Sequence, residues 1–522
     1  MSSIPKICFS EYSEYSDYSD HSEKNPTSPP MTHRTLPLLT LLALTFFSTS
    51  QSQAQVTEQI PTADAVGAKV CPSVIAPIGA TFEGMPQLQR PVFPERTLSI
   101  QKTKGNIQKA IDQLAKRGGG HVIIPKGEWT SGRITLRDDI DLHLEAGASI
   151  RFSNRVEDYL PAVFTRNEGV ELYSLGALIY AHGARNIAVT GAGFDTDGKP
   201  LSRLIGPGKE NEIYDNRMDG LVVEDFINLN SPVEERIFDG KSLPTTVLGP
   251  KLLANDSLLQ LNAHCIFLPM FFAPVQCSNV LLEGVEFEEP LFWNITPVYC
   301  DSVIIRGCAV NSYGGRTDGI DIESTRNVLI EYCTLACGDD CFTLKAGRAE
   351  DGLRVNRPTE NVVIRYCLAE RGPGGVTFGS ETAGMIRKVY MHDCVFTSPN
   401  NGFYFKSRRN RGGGGEDLSF RRIRMLNPGR AFYFDMLGST MYVGELAKRL
   451  PVRDITPLTP VFRRITMDQV LVESCKELML LKGLPESPIE DLSISHLEAN
   501  TRDRDLKVQD VLGFIMTDCV IK

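Results

Sequence analysis

The chain has 522 residues, of which 42% are hydrophobic and 23% charged, and its net charge is −9. This balance fits a protein with a large apolar core, and the acidic pI of about 5.6 disfavours a nucleic-acid-binding protein. The 13 cysteines are too sparse to form a disulfide scaffold in a chain of this length.

The first 54 residues are predicted to be a pre-sequence. Residues 1–30 are of low complexity and lack a core-forming pattern, which is typical of disorder. Met31 begins a basic start, an apolar run from Leu36 to Phe47 and a small-residue exit at Ala54, the order found in secretory signal peptides. We therefore expect Met31 to be the initiator, and the protein to be secreted or periplasmic after cleavage near Ala54. The apolar run is too short to cross a bilayer comfortably, so no membrane span is expected.

The rest of the chain is predicted to be an arm followed by one domain. Residues 55–95 are rich in proline and poorly periodic, which indicates an N-terminal arm. Residues 96–522 are expected to form a single domain of short strands separated by Gly and Asp turns. Helical spacing of apolar residues after Asn106 predicts a short helix that caps this domain. Residues 199–260 break the rhythm and are predicted to be a long insertion.

From Ser278 onward a strand-like phrase recurs. Its Val or Leu anchors fall at positions 280, 303, 328, 362, 389 and 418, so the intervals have a steady minimum with a variable excess. This pattern predicts one coil of a solenoid plus loops of different lengths. A coil of this size cannot bury its own apolar side and must stack on its neighbours, so we predict an all-β fold, a parallel β-helix.

Four cysteines occupy the same phase in successive phrases: Cys308, Cys333, Cys367 and Cys394. The stacking of coils would bring them into one column. Cysteine is small and readily buried, so we interpret this column as core packing rather than as disulfides or a metal site.

Three aspartates are separated by about one coil. Asp318 stands in T-D-G-I-D, and Asp339 and Asp340 stand in G-D-D-C, 21 and 22 residues later. Stacking therefore predicts that their carboxylates meet on one face. Gathered carboxylates raise each other's pKa, a property that acid–base chemistry on a glycosidic bond uses. Asp321 lies in the same run, and for it we favour a structural role as a turn cap.

The order and spacing of eight motifs between about Asn106 and Ile465 resemble glycoside hydrolase family 28, the polygalacturonase-like pectin hydrolases. The motifs are I-Q-K-A-I-D, G-G-G-H-V-I-I-P-K-G, L-H-L-E-A-G-A, L-F-W-N-I-T-P-V-Y-C, T-D-G-I-D, G-D-D-C, G-G-V-T-F-G-S-E and F-K-S-R-R-N-R-G-G-G. The resemblance implies a right-handed parallel β-helix with an open cleft, and inverting hydrolysis of bonds to galacturonic acid. No cofactor and no metal are expected.

The resemblance also implies roles for the three aspartates. Asp339 would be the general acid, and Asp318 with Asp340 would hold and activate the water. An inverting pair needs a gap of about 6.5–9.5 Å between the protonated carboxyl and the ionised carboxylates, which leaves room for that water. We therefore expect such a gap in this site.

Three positions depart from the family's pattern. Arg316 stands where the family has Asn, Pro373 where it has the His that supports the acid, and Tyr404 where it has Arg. Lys406 is kept and is expected to pair with a uronate carboxylate as a point charge. Tyr404 is expected to stack on a sugar face. Arg316 has two interpretations: it binds a carboxylate, or it lowers the pKa of Asp318.

A cationic patch is predicted near this site. Seven basic residues crowd 19 positions, namely Lys406, Arg408, Arg409, Arg411, Arg421, Arg422 and Arg424, and Gly412 to Gly415 are expected to make their loop pliable. Such a patch would grip an anionic polysaccharide. For Arg421 and Arg422, outward-facing positions on a strand are the better interpretation. The predicted substrate-binding residues are Lys406, Arg316, Tyr404, Arg408 and Arg411.

The leading hypothesis is a secreted, monomeric glycoside hydrolase that acts on anionic plant cell-wall polysaccharide of the polygalacturonan or rhamnogalacturonan type. We expect exo action if the 199–260 insertion or the stretch Tyr442–Pro460 closes one end of the cleft. Two alternatives stay open. One is a β-helical polysaccharide lyase, which usually needs Ca²⁺, and the other is a carbohydrate-binding β-helix with weakened or lost activity.

Overall fold

The computed structural model describes residues 60–78, 85–196, 198–209, 213, 223–241, 243–254 and 266–522. The predicted disordered stretch and signal peptide lie outside these residues. From Thr97 onward the chain winds through parallel strands into a right-handed parallel β-helix, as predicted. Successive coils contribute neighbouring strands to three long faces, which we call the first, second and third sheets.

The first and second sheets run along the whole β-helix. The strands of the first sheet are Thr97–Ser99, Gly120–Ile124, Ile140–Leu144, Arg185–Gly191, Ser278–Glu283, Asp301–Arg306, Arg326–Glu331, Thr359–Arg365, Val511–Leu512 and Ile515–Thr517. The strands of the second sheet are Gly127–Ser131, Ala148–Phe152, Ser202–Ile205, Glu286–Glu288, Ala309–Asn311, Thr334–Ala336, Leu368–Arg371 and Val520–Ile521.

The third sheet is the face that holds the candidate site. Its strands are Ile134–Thr135, Ala177–His182, Met270–Val275, Ile320–Glu323, Phe342–Lys345, Gly374–Phe378, Asn401–Lys406 and Arg430–Asp435. Long strands bend from one sheet into the next: Ile386–Phe396, Gly414–Met425, Val461–Lys482 and Ile489–Gln509. A separate antiparallel hairpin joins Val163–Asn167 to Val170–Ser174.

Short helices interrupt the coils. The α-helices are Ile107–Ala115, Val223–Phe226, Pro250–Leu253, Ala349–Val355 and Thr440–Val443 among the described residues. The 3-10 helices there are Ala63–Ala65, Ala68–Val70, Ile100–Thr103, Val156–Tyr159, Val233–Glu235, Thr245–Val247 and Gly444–Ala447. No helix of the described part is both long and apolar enough to cross a membrane.

The helix Ile107–Ala115 is the short N-terminal helix predicted from apolar spacing. The side chain of Asn106 caps it by accepting a hydrogen bond from the backbone N–H of Lys109 at 2.8 Å. Its apolar stripe, which includes Ile107 and Leu114, is buried against the first coils. The helix thereby covers core side chains that no earlier coil is present to cover.

The predicted period is the period of the coil. The anchors Val280, Val303, Val328, Val362 and Val389 pair in register from strand to strand and are buried. The four phased cysteines are likewise buried free thiols. Each coil therefore places the same side chain at the same point of the core.

Asparagines shape the turn that enters the first sheet. Asn327 and Asn361 both have φ of 56°, a left-handed conformation that Asn tolerates better than most residues. The Nδ2 of Asn361 donates to Oδ1 of Asn327 at 3.0 Å, and the Nδ2 of Asn327 donates to Oδ1 of Asp301 at 2.9 Å. This column of side-chain hydrogen bonds fixes the turn in successive coils.

Residues 60–78 and 85–95, here called the N-terminal strap, lie across the outer faces of the first and second sheets. Arg306 donates to the carbonyl of Pro72 at 2.6 Å, and Arg365 donates to that of Ala76 at 2.7 Å. Beneath the strap lies one apolar side chain from each of five neighbouring strands: Ala188, Leu281, Ile304, Leu329 and Val363.

The region predicted as an insertion begins later than expected. Ser202–Ile205 is a strand of the second sheet and pairs with Ala148–Phe152, so the chain leaves the coil only after Ile205. The described residues that follow form a small apolar cluster with Val170 and Leu172 of the hairpin. This cluster stands beside the start of the third sheet.

Candidate active site

Asp318 and the pair Asp339–Asp340 lie on neighbouring coils, each just before a strand of the third sheet. Those strands pair in register, with Ile320 opposite Phe342, and the N–H of Gly319 donates to the carbonyl of Asp340 at 2.9 Å. One carboxylate oxygen from each of the three aspartates lies within 4.8 Å of the others. The structure therefore brings together the three acids that the sequence indicated.

Asp339 is the partly exposed member of the three. Its Oδ2 accepts a hydrogen bond from the backbone N–H of Arg316 at 2.7 Å, and its Oδ1 accepts one from the N–H of Asp340 at 3.0 Å. Burial raises the pKa of Asp339 and the charge of Asp340 raises it further, against a smaller opposing effect of Lys406. The carboxyl of Asp339 therefore keeps its proton to a higher pH than a free aspartate does.

Asp318 is buried, and burial raises its pKa well above the ordinary range. The neighbouring carboxyls of Asp321 and Asp339 raise the pKa further. The ammonium of Lys345, 3.9 Å from Oδ2 of Asp318, acts in the opposite direction. The ionised form of Asp318 thus depends on a nearby cation.

Asp340 is buried and bound by Lys406. The Nζ of Lys406 donates to Oδ2 of Asp340 at 2.7 Å and lies 4.7 Å from the centre of the Tyr404 ring. The other oxygen, Oδ1, has no hydrogen-bond partner among the described residues and faces Gly374. A side chain at position 374 would collide with Asp340, so this glycine is required by close approach.

The closest carboxylate oxygens of the three aspartates do not show the gap of 6.5–9.5 Å that was expected between the carboxyl groups. They lie within 4.8 Å of one another, because backbone hydrogen bonds tie Asp339 to Arg316 and to Asp340. Three carboxylates so close could surround a cation, and within the described part of the chain no other acidic or histidine side chain joins them at this short spacing. Two lysines already supply positive charge there, and we assign no metal.

The prediction that Asp321 caps a turn is wrong. The residue lies inside the strand Ile320–Glu323, is fully buried, and within the described structure neither of its carboxylate oxygens has a hydrogen-bond partner. The nearest cation is Lys345, 3.6 Å away. Burial raises the pKa of Asp321 well above its ordinary value despite this lysine. Asp321 is therefore a fourth member of the acid cluster.

Lys345 and Glu381 are two residues of the site that were not predicted from the sequence. The Nζ of Lys345 donates to Oε2 of Glu381 at 3.1 Å and lies 4.5 Å from the centre of the Trp293 ring. A signal for Lys345 was present in the sequence, because this residue follows the apolar residues Phe342 and Leu344 at the end of a strand. In the structure it pairs in register with Glu323 of the preceding coil. A lysine at such a position needs a buried acid.

The predicted cationic patch does not exist as one surface. Arg409 is buried and bonded to Glu486, and Arg411 is wholly buried, with its charge beside Glu381. Arg421 pairs with Asp468, and Arg422 pairs with Asp393. Arg424 pairs with Glu473. Arg421 is exposed on a strand of the first sheet, as the alternative interpretation predicted. The prediction that Arg411 binds substrate is wrong, because no part of its side chain reaches solvent.

The glycines from Gly412 to Gly415 do not make a pliable loop. Cβ atoms at Gly413 and Gly414 would collide with the backbone oxygens of Thr382 and Val461. Gly414 and Gly415 also begin a strand of the first sheet. These glycines permit close packing between coils, so mobility is not their function.

Tyr404, in the strand Asn401–Lys406 of the third sheet, and Arg408, just after this strand, are partly exposed. The Tyr404 ring stacks on that of Tyr433, with 5.0 Å between centres and 7° between planes. The guanidinium of Arg408 lies 4.5 Å from the centre of the Tyr442 ring. Both side chains thus continue the surface that begins at the acids.

Arg316 does not point its charge at Asp318. Its Nε lies 3.5 Å from Oε1 of Glu168, and its φ is 61°. It lines a recess together with Asn167, Glu168, Val223, Phe267, Leu268 and Phe292. Two of these, Val223 and Phe267, belong to the apolar cluster beside the third sheet. The recess therefore lies next to Asp339 and is walled by the chain that leaves the coil.

A parallel β-helix with clustered aspartates and two lysines at the strand ends of one face defines the class of β-helical glycoside hydrolases. Residues 255–434, which contain all of these side chains, match the model of glycosyl hydrolases family 28. The part of the chain with the candidate site is therefore similar to this family, in agreement with the resemblance that the sequence motifs indicated.

Known proteins that are similar to this chain agree with this match. The chain is 24% identical over 422 residues to a probable polygalacturonase of Vitis vinifera, covering 78% of this chain and 73% of that protein. It is 24% identical over 424 residues to an exo-poly-alpha-D-galacturonosidase of Dickeya chrysanthemi, covering 74% and 66%. The structure of a hyperthermoactive exopolygalacturonase from Thermotoga maritima superposes with a TM-score of 0.67 and 26% identity, covering 83% of this chain and 94% of that one.

Proposed function

We propose that this protein hydrolyses glycosidic bonds of galacturonic acid in pectic polysaccharide. The observation that supports this most is the convergence of Asp318, Asp339 and Asp340 on one face of a family 28 β-helix. Clustered carboxyl groups, one of which keeps its proton to a higher pH than a free aspartate, can provide both a proton donor and a base. Nothing in the comparisons favours a lyase.

In this proposal Asp339 is the general acid. It is the partly exposed member of the three, and its pKa is raised by burial and by Asp340, so it holds a proton for the leaving oxygen. Asp318 and Asp340 hold and activate the water. Lys345 lies 3.9 Å from Asp318 and opposes the rise of its pKa, and Lys406 donates a hydrogen bond to Asp340 at 2.7 Å.

The reaction is proposed to invert the anomeric centre. Pro373 stands near this site without a titratable group, so Asp339 receives no support from a histidine there. Close carboxyls supply instead the charge repulsion that retains the proton.

Substrate contacts are proposed for Lys406, Arg316, Tyr404 and Arg408. Lys406 and Arg316 flank the acids and carry charge complementary to a uronate carboxylate. Arg316 borders the recess, and Tyr404 presents a ring beside Lys406. Tyr404 is proposed to stack on a sugar, and Arg408 to extend the cationic side of the cleft.

We further propose exo action. The recess beside Arg316 is walled by Val223, Phe267 and Leu268, which lie between the coil that ends at Ile205 and the strand Met270–Val275. A wall at this place would stop a polymer from extending past the acids. The similar proteins of Dickeya chrysanthemi and Thermotoga maritima are described as exo-acting.

A time course of products tests these points. Purified protein is incubated with polygalacturonate and, separately, with rhamnogalacturonan, and released reducing ends and product lengths are measured. Release of the shortest product from the start, with slow loss of viscosity, is expected on polygalacturonate. Early release of mixed long oligomers would contradict exo action. Ultraviolet-absorbing unsaturated products that need Ca²⁺ would indicate a lyase, and binding without any release would indicate a carbohydrate-binding protein.

The site of action is proposed to be outside the cytoplasm, after removal of a signal peptide near Ala54. The support is the order of basic, apolar and small residues from Met31 onward. N-terminal sequencing of the exported protein tests this, and an N-terminus at Met1 or Met31 in the active form would contradict it.

A further inference from the structure

Lys345 is the centre of a buried network of charges next to the acid cluster. Its side chain is 5% exposed, and its ammonium lies 3.1 Å from Glu381, 3.6 Å from Asp321 and 3.9 Å from Asp318. The Trp293 ring covers it from one side at 4.5 Å. The ammonium therefore has a fixed position, and the aspartates lie around it.

Glu381 is held from its other side, which fixes Lys345 in turn. Its Oε1 accepts hydrogen bonds from Nη2 of Arg348 at 2.6 Å and from Oγ of Ser380 at 3.1 Å. Arg348 also donates to Oε2 of Glu168 at 3.1 Å, and Glu168 pairs with Arg316. A chain of alternating charges thus connects the lysine beside Asp318 to the arginine beside Asp339.

We propose that Lys345 is a positioning residue for hydrolysis, which holds the Asp318 carboxylate in place and in its ionised form for activation of the water. This inference rests on the proposed function and extends it to a residue that is not expected to touch substrate. The ammonium is nearly buried and donates to Glu381, so it is not presented to a sugar carboxylate.

The charges that face Asp318 explain why such a lysine is needed. Three carboxyls act on Asp318 with like charge, namely Asp321, Asp339 and Asp340, and burial acts in the same direction. Lys345 opposes them. The other cations near the cluster are engaged elsewhere, since Lys406 bonds Asp340 and Arg316 pairs with Glu168. Lys345 therefore has the geometry to keep Asp318 ionised.

The pH dependence of hydrolysis by K345M, K345R and the wild type tests the proposal. In K345M the acidic limb of kcat/KM should move to higher pH by about one pH unit or more, with KM at the optimum within about twofold of wild type. K345R keeps the positive charge and should return the acidic limb to its wild-type pH. The control K507M removes an exposed paired lysine far from the acids and should follow the wild-type profile. A uniform loss of activity with an unmoved limb in K345M would overturn the proposal.

A second measurement does not depend on hydrolysis. The chain has two tryptophans, so in a Trp129→Phe background the fluorescence of Trp293 alone reports the charges around Lys345. Its titration midpoint should rise when K345M is added, and an unchanged midpoint would overturn the inference. If the wild type cleaves no galacturonan, the proposed function fails while this titration still decides the role of Lys345.

The variant E381Q keeps the proposal testable if K345M does not fold. Without the charge of Glu381, the positive charge of Lys345 acts more strongly on Asp318, so the acidic limb should move to lower pH. An unmoved limb, or a move to higher pH, would contradict the positioning role.

Discussion

The ammonium of Lys406 donates a hydrogen bond of 2.7 Å to Oδ2 of Asp340, across 66 residues of sequence. Three strands of the third sheet make this pair, because Phe342–Lys345, Gly374–Phe378 and Asn401–Lys406 lie side by side. Lys406 was expected to bind a substrate carboxylate. In the structure it also holds an acid of the cluster, so one lysine serves both the proposed substrate and the proposed base.

Replacement of Lys406 by Met should lower kcat/KM by about 30-fold or more, because a buried charged hydrogen bond is worth about 2 kcal/mol or more. Lys406→Arg should recover part of this loss, since the charge is kept with a different shape. Initial rates on polygalacturonate measure the effect. Equal losses in the Met and Arg variants would show that shape rather than charge matters.

Replacement of Asp339 by Asn should lower kcat by about 10²–10⁴-fold and leave KM nearly unchanged, because a general acid acts in the transition state. Asp138→Asn is a matched control at an exposed carboxylate far from the cluster. Reducing-end assays on both variants measure the effect. Full activity in the Asp339 variant would show that Asp339 is not the general acid.

The first sugar released should have the anomeric configuration opposite to that of the cleaved bond, because water attacks directly in the proposed mechanism. Proton NMR during the first minutes of the reaction, before mutarotation, distinguishes the anomers. Carboxylate oxygens within 4.8 Å make this measurement important, since a short spacing is also compatible with a covalent intermediate. Initial release of the same anomer would show retention.

Replacement of Asp321 by Asn should raise the melting temperature at neutral and mildly alkaline pH by about 1–3 °C. Burial raises the pKa of Asp321 well above its ordinary value of 3.8, against the effect of Lys345. Protonation of such a carboxyl stabilises the fold below its unfolded-state pKa, and this contribution is lost as the pH rises through the folded-state pKa. The advantage of the variant should therefore disappear toward acidic pH.

Thermal unfolding across the pH range, with Asp138→Asn as the control, tests the direction of this change in melting temperature. A variant that is less stable than wild type at every pH would show that the attraction to Lys345 exceeds the effect of burial. The same measurement would then contradict the raised pKa of Asp321.

Replacement of Arg409 by Ala should destabilise the fold by about 3–5 kcal/mol, because it leaves the buried Glu486 unpaired. Arg409 also donates to the carbonyls of Leu446 and Arg449, at 2.7 and 3.0 Å. The stretch around Gly444–Ala447 should therefore become sensitive to protease. Arg421→Ala removes an exposed pair and should change stability by less than about 1 kcal/mol. Similar effects of the two variants would contradict the conclusion that Arg409 stabilises the fold through Glu486 and this stretch.

Much of the fold could be predicted from the sequence, because one coil repeats one pattern. The anchors from Val280 to Val389 and the column from Cys308 to Cys394 mark the same core positions, so spacing alone placed them in register. The acids Asp318 and Asp339 were found by the same argument. A period in the sequence becomes adjacency in space when the fold is a solenoid.

The charged surroundings of the site could not be predicted in this way. Arg409 and Arg411 are near neighbours in sequence of Lys406, but the chain turns inward between them, and burial rather than spacing decides what they touch. Lys345 and Glu381 are 36 residues apart and belong to no repeated phrase. Asp321 was misinterpreted because a strand interior and a turn have similar short sequences.

The N-terminal strap changes how the solenoid should come apart. A stack of coils that contact only their neighbours unfolds in steps, from either end. The strap touches five consecutive strands of the first sheet, from Ala188 to Val363, and is bonded to Arg306 and Arg365. Coils that are distant along the stack are therefore held by the same segment. The part of the β-helix that contains the acid cluster should unfold as a single cooperative unit rather than coil by coil.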